Sequence, residues 1–173
     1  MKKKKTLLKI AYLGLFLAFA MILSYVETLL PVFPYAPGVK LGLANCFILL
    51  ILYIYGVREA AIINLSRIIL CALLFTGFYA MLYSLAGGVF SLAIMAVSYR
   101  RKKIFSPIGV GMLGGVFHHI GQVLVAFFTT HNPVVFGYLP VLIVAGLFTG
   151  ALVGFLVKLL YPKIKKLTDR AES

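Results

Sequence analysis

The sequence is nearly without negative charge: of its 173 residues, only Glu27, Glu59, Asp169 and Glu172 are acidic. Charged residues of both signs make up 12% of the chain, about half the share usual in a soluble domain. With 62% of residues hydrophobic, such a surface cannot be solvated by water, and lipid must be the solvent for most of it. Cysteine is also scarce. Cys46 and Cys71 fall inside apolar segments with no metal-ligand spacing, which makes them small core hydrophobes. The length suits one domain.

What charge there is runs strongly one way, to a net +13. In a soluble protein that would point to nucleic acid. Here the basic residues cluster at the ends of apolar runs, where membrane anchors belong, so no nucleic-acid role is expected. Lys2 to Lys5 resemble the start of a secretion signal. The following apolar run, 10–30, is longer than a signal core, and prolines replace a small-residue cleavage site, so it is expected to remain as a first span.

About 20 apolar residues cross a bilayer as a helix. The expected spans are 10–30, 41–55, 60–75, 80–99, 108–130 and 138–160, an all-α six-helix membrane bundle between a basic N-terminus (1–9) and a basic tail (161–173). The second and third spans are short and separated by Gly56-Val57-Arg58-Glu59, as in a tight hairpin. One long helix in their place would give five spans. The basic residues decide between these. Six spans put fifteen of them on one face and Lys40 alone in a loop on the other, with Arg67 inside a span. The positive-inside rule makes the fifteen cytoplasmic, with both termini inside. On the outer side, the stretch Pro31 to Gly38 is too rich in proline to be helical and reads as a stiff lid. His131-Asn132-Pro133 reads as a turn.

Small residues four apart let membrane helices approach closely. Gly146, Gly150 and Gly154 form such a stripe on the sixth span, and Gly111 with Gly115 on the fifth; internal packing is the expected role. Ala11, Gly14 and Ala18 lie in the cytoplasmic half of the first span, away from its polar residue, and are candidates for docking a membrane partner.

An ionised group in the hydrocarbon costs about 2.5–3.5 kcal/mol on insertion scales and so needs a partner or a purpose. Arg67 sits near the middle of the third span, and His118, His119 and Gln122 near the middle of the fifth. Glu27, Asn45, Tyr83 and Ser84 lie toward the outer ends of their spans, with Lys40 at the outer mouth. Threaded together, these nine groups fill the outer half and middle of the bundle, as a ligand pocket open to the outside would. No metal site is expected, because zinc needs three or four ligands and adjacent histidines point about 100° apart on a helix. No cofactor is expected either.

The segments Lys40-Leu41-Gly42-Leu43-Ala44-Asn45, Arg67 ahead of Tyr83-Ser84-Leu85-Ala86-Gly87-Gly88, and His118-His119-Ile120-Gly121-Gln122 resemble the Gx transporter family, also labelled heptaprenyl diphosphate synthase component I. The likeness runs from about residue 10 to residue 160. His119 departs from it, standing where the family pattern carries asparagine. The resemblance implies an architecture similar to the substrate-binding S components of energy-coupling-factor transporters. Those capture a vitamin from outside and dock on a transmembrane partner, driven by ATPases, through small residues of the first helix. It also implies two other settings: a membrane accessory of a prenyl synthase, or an anchor in a flavin- or quinone-based redox system. Catalysis by this chain is not expected. Its one aspartate, Asp169, excludes the aspartate-rich motifs that hold magnesium and diphosphate, and there is no Walker A sequence.

Overall fold

The computed structural model describes residues 2–29, 42–101 and 104–172. These residues form six α-helices: α1 (Lys2–Leu29), α2 (Asn45–Ile54), α3 (Val57–Cys71), α4 (Gly77–Arg100), α5 (Pro107–Thr130) and α6 (Leu139–Glu172). A π-helical turn, Ala72–Thr76, ends α3, and a 3-10 turn, Pro133–Tyr138, precedes α6. No strand occurs among the described residues.

The direction of each helix follows from contacts between residues far apart in sequence. At the basic end, Lys9 Nζ of α1 meets Glu59 Oε1 of α3 at 2.5 Å. At the opposite end of α1, Glu27 accepts a hydrogen bond from the Leu43 backbone N–H, just before α2. The helix α2 therefore runs back toward the basic end, where Gly56 turns the chain with a φ of 100° that favours glycine. The run from Val57 to Arg100 is nearly continuous helix and apolar enough to cross a membrane. It nevertheless folds in two. Asn64 Nδ2 donates to the Gly88 carbonyl at 3.2 Å, whereas a straight helix would separate them by about 36 Å. The reversal falls at Gly77, whose φ is 76°. Counted by length and composition alone, the described helices provide four candidate membrane crossings: Lys5–Leu29, Val57–Arg100, Pro107–Thr130 and Pro133–Arg170.

The shortest helix lies deepest. Ile48 to Leu52 of α2 are fully buried and form the centre of the core, with Phe16, Met95, Val110 and Val157 around them. Ten residues span only about 15 Å, half the hydrocarbon thickness. The all-round apolar character of α2 thus matches burial in protein rather than exposure to lipid. The helix α1 shows the reverse pattern, with Leu7, Ile10, Leu15, Phe19 and Ile22 exposed and Phe16, Ala20 and Ser24 buried.

The most intimate packing joins α5 to α6. A Cβ on Gly115 would fall 2.1 Å from the Gly146 carbonyl oxygen, and one on Gly111 would fall 2.3 Å from that of Gly150. The two backbones touch, and only glycine fits between them. Gly14 of α1 has open space where its Cβ would be, and Ala11, Gly14 and Ala18 are all exposed.

Several limits differ from the expected spans. The helix α1 begins within the lysine run, and α6 continues through the basic tail to Glu172. At the basic end, Tyr53 of α2 packs edge-on against Tyr99 of α4 at 4.7 Å and Tyr161 of α6 at 5.6 Å. At the other end Tyr25, Phe78, Tyr79, Phe128 and Tyr138 are exposed.

Candidate functional site

Polar side chains recur where the bundle is otherwise apolar, and they hold one another. Arg67, six per cent exposed, donates through Nη1 to Ser24 Oγ at 2.9 Å and through Nη2 to Asn64 Oδ1 at 2.8 Å. Asn64 passes the chain on to the Gly88 carbonyl, so one network ties α1, α3 and α4 together. Measured from the Lys9–Glu59 pair, Ser24 lies about 22 Å along α1 and Arg67 about 12 Å along α3. The long arginine side chain spans much of that difference and carries its charge away from the basic end. The carboxylate of Glu27, one turn beyond Ser24, acts electrostatically on the guanidinium.

A second network lies on the other side of α4. Asn45 Nδ2 approaches Ser91 Oγ and His118 Nδ1, both at 3.4 Å. His119 Nδ1 donates to Gln122 Oε1 at 3.0 Å. The two histidine rings stand 5.8 Å apart at 74°, because successive residues on a helix face different neighbours. His118 faces the backbone of Gly87, where a Cβ would meet its ring at 2.8 Å; His119 faces Gly146 of α6. Gly88, about 100° further round the helix, faces α3, and a Cβ there would meet Asn64 Nδ2 at 2.9 Å. The adjacent pair Gly87 and Gly88 therefore lets both networks close against α4 at one level of the bundle.

Two donors in these networks remain unused. Arg67 Nε and Gln122 Nε2 are buried and donate to no acceptor among the described residues. An unmade hydrogen bond of this kind costs about 1–3 kcal/mol. The cavity bordered by Gly42, Asn45, Met95, Gly114 and Gly150 is only about 10 Å³, room for one water at most.

A family model described as heptaprenyl diphosphate synthase component I matches residues 16–160. The chain belongs to this family. The matched range contains both polar networks and every described helix from α2 to α5, together with the second half of α1 and most of the apolar part of α6. No curated protein and no solved structure matches the chain.

Of the residues expected in the site, Arg67 and Glu27 fall in or beside the first network, and Asn45, His118, His119 and Gln122 make up most of the second. Ser84 is buried on α4 one turn before Gly87 and Gly88. Tyr83 lies apart from both networks, its hydroxyl 3.4 Å from Thr129 Oγ1 near the end opposite the basic one. Lys40 and the 31–38 stretch lie outside the described residues. Three participants were not anticipated as site residues: Ser24, Asn64 and Ser91. Ser91 shares the face of α4 that carries Ser84, Gly87, Gly88, Met95 and Ser98, all buried. That repeat of small residues was a readable signal for a face in close contact.

Proposed function

We propose that the chain crosses the membrane six times, with both termini in the cytoplasm, and captures a small molecule from the outer side for partner membrane subunits. The crossing number rests on the two chain reversals, at Gly56 and Gly77, and on aromatic residues at both ends. Tyr79 and Tyr99 of α4 are about 30 Å apart along the helix, the thickness of the hydrocarbon layer they would bracket. The orientation rests on the positive-inside rule applied to Lys9, Arg58, Arg100, Lys163 and their neighbours.

The observation that carries the binding reading is Arg67: a buried guanidinium, oriented by Ser24 and Asn64, with a further N–H still to give. A guanidinium so fixed suits a carboxylate, phosphate or ring carbonyl. Asn45, His118, His119 and Gln122 supply donors and acceptors for the polar edges of a vitamin-, flavin- or isoprenoid-related molecule. The exposed Ala11, Gly14 and Ala18 stripe would receive a coupling subunit. In this reading the chain binds and delivers; it does not catalyse.

The family description favours a second reading, a membrane accessory of a heptaprenyl diphosphate synthase. Native mass spectrometry of the gently purified protein separates the two. A small molecule bound one to one, and lost in Arg67→Lys, supports capture. A protein that carries no small molecule and co-purifies with a soluble prenyl synthase supports the accessory role.

A further inference from the structure

The bundle has a further concave feature that meets the polar networks only at Asn64. Between α3 and α4 a groove of about 360 Å³ opens sideways, walled by Val57, Ala61 and Leu65 on one helix and Val89, Ala93 and Ala96 on the other. It adjoins a second hollow of about 320 Å³, which shares Val89 and Ala93 and reaches Phe117 of α5. Its origin is local. Asn64 pins α3 to Gly88 of α4, and nearer the basic end Ala61, Ala93 and Ala96 are too small to fill the gap between the helices.

Size selects the occupant. The groove runs from Val57 to Ile68, about 16 Å along α3. A partner helix of that length would occupy on the order of 1,200 Å³, taking a diameter of about 10 Å. The groove is too small to enclose a helix, and its walls are apolar except at Asn64, so a single hydrocarbon chain fits it.

Charge selects the head group. Because α3 and α4 are antiparallel, Arg58 and Arg100 come to the same end, although they are 42 residues apart in sequence. Arg58 follows Val57 at the groove mouth and Arg100 lies one turn beyond Ala96; both are exposed, as is Arg101. The nearby carboxylate, Glu59, is engaged by Lys9. We propose that this groove binds one acyl chain of an anionic phospholipid from the leaflet on the basic side, with its phosphate held by Arg58 and Arg100. Arginine forks match phosphate oxygens, and basic clusters at this membrane depth recognise anionic head groups. The inference requires only that the chain resides in a bilayer and is independent of the capture reading.

The test is native mass spectrometry of the full chain in detergent, equilibrated with equal amounts of phosphatidylglycerol and phosphatidylcholine of identical acyl chains. The first retained lipid is expected to be phosphatidylglycerol by at least tenfold. The Arg58→Gln, Arg100→Gln double variant should bring that ratio to within twofold. Ala93→Leu should abolish retention by filling the groove. Ala93 is exposed, so the larger side chain meets no packed neighbour; Ala61→Leu provides the same block from the other wall. Equal retention of the two lipids by the unmodified protein, retention that survives both groove-filling variants, or a second copy of the chain bound in place of lipid would overturn the proposal.

Discussion

Arg67 and Ser24 lie 43 residues apart and meet at 2.9 Å in the middle of an apolar bundle. The bond fixes the guanidinium between α1 and α3, and Asn64 fixes it from the other side. The charge is placed as well as buried, and placement is what ligand recognition needs.

That geometry distinguishes charge from shape. Arg67→Lys keeps a cation but loses the planar fork and its remaining donor. The expected result is normal membrane insertion with at least a tenfold loss of the co-purified small molecule. Arg67→Ala should in addition destabilise the fold by about 1–3 kcal/mol, because buried Ser24 and Asn64 would lose the donor they accept from. Thermal unfolding in detergent, read beside ligand retention, measures both.

The glycine positions predict opposite outcomes. Gly115→Ala should lower stability by about 1–3 kcal/mol, because its methyl group would fall within 2.1 Å of the Gly146 carbonyl oxygen. Gly14→Ala should leave stability unchanged or raise it by up to about 1 kcal/mol, since nothing lies within 4 Å and alanine is the better helix former. Gly14→Leu should likewise fold but fail to co-purify with a coupling subunit. Thermal unfolding and affinity purification check the series.

The Lys9–Glu59 pair gives a pH dependence of known sign. Its hydrogen bond from Lys9, with smaller help from the charges of Lys9 and Arg58, holds the Glu59 carboxyl below its usual range. The stabilisation is therefore present above the pKa of the unfolded chain and is lost as pH falls through the lower folded value. Both groups are partly exposed, so the effect should be about 0.2–1 kcal/mol. Lys9→Ala should flatten the acid limb of a stability–pH curve without changing it at neutral pH by more than that amount.

The sequence carried much of the fold and of the site, for physical reasons that differ between residues. Arg67, His118 and Gln122 stood out because polar groups in apolar helices are costly, and the structure assembles them into networks. The short run around Ile48 was harder to interpret. Lipid and protein interior impose the same composition, and only the structure reveals that α2 sits inside the other helices. The break expected between 75 and 80 holds Gly77, whose positive φ produces the chain reversal there; the sequence did not show that the helix would run on almost to that glycine. Ser24 and Ser91 escaped notice because a lone hydroxyl can bond its own helix; partners on other helices give them their role. The expected angular separation of His118 and His119 follows from helical geometry, but which neighbour each would face did not.

The most direct test of the account is which side of the membrane each end of the bundle occupies. Thr130→Cys and Arg101→Cys place thiols at exposed positions on opposite ends, while Cys46 and Cys71 are buried and should stay unreactive. Applied to intact cells, a membrane-impermeant maleimide should label the first variant and should reach the second only after permeabilisation. The reverse pattern, or labelling of both from outside, would contradict a six-span bundle with both ends in the cytoplasm, and with it capture from the outer side.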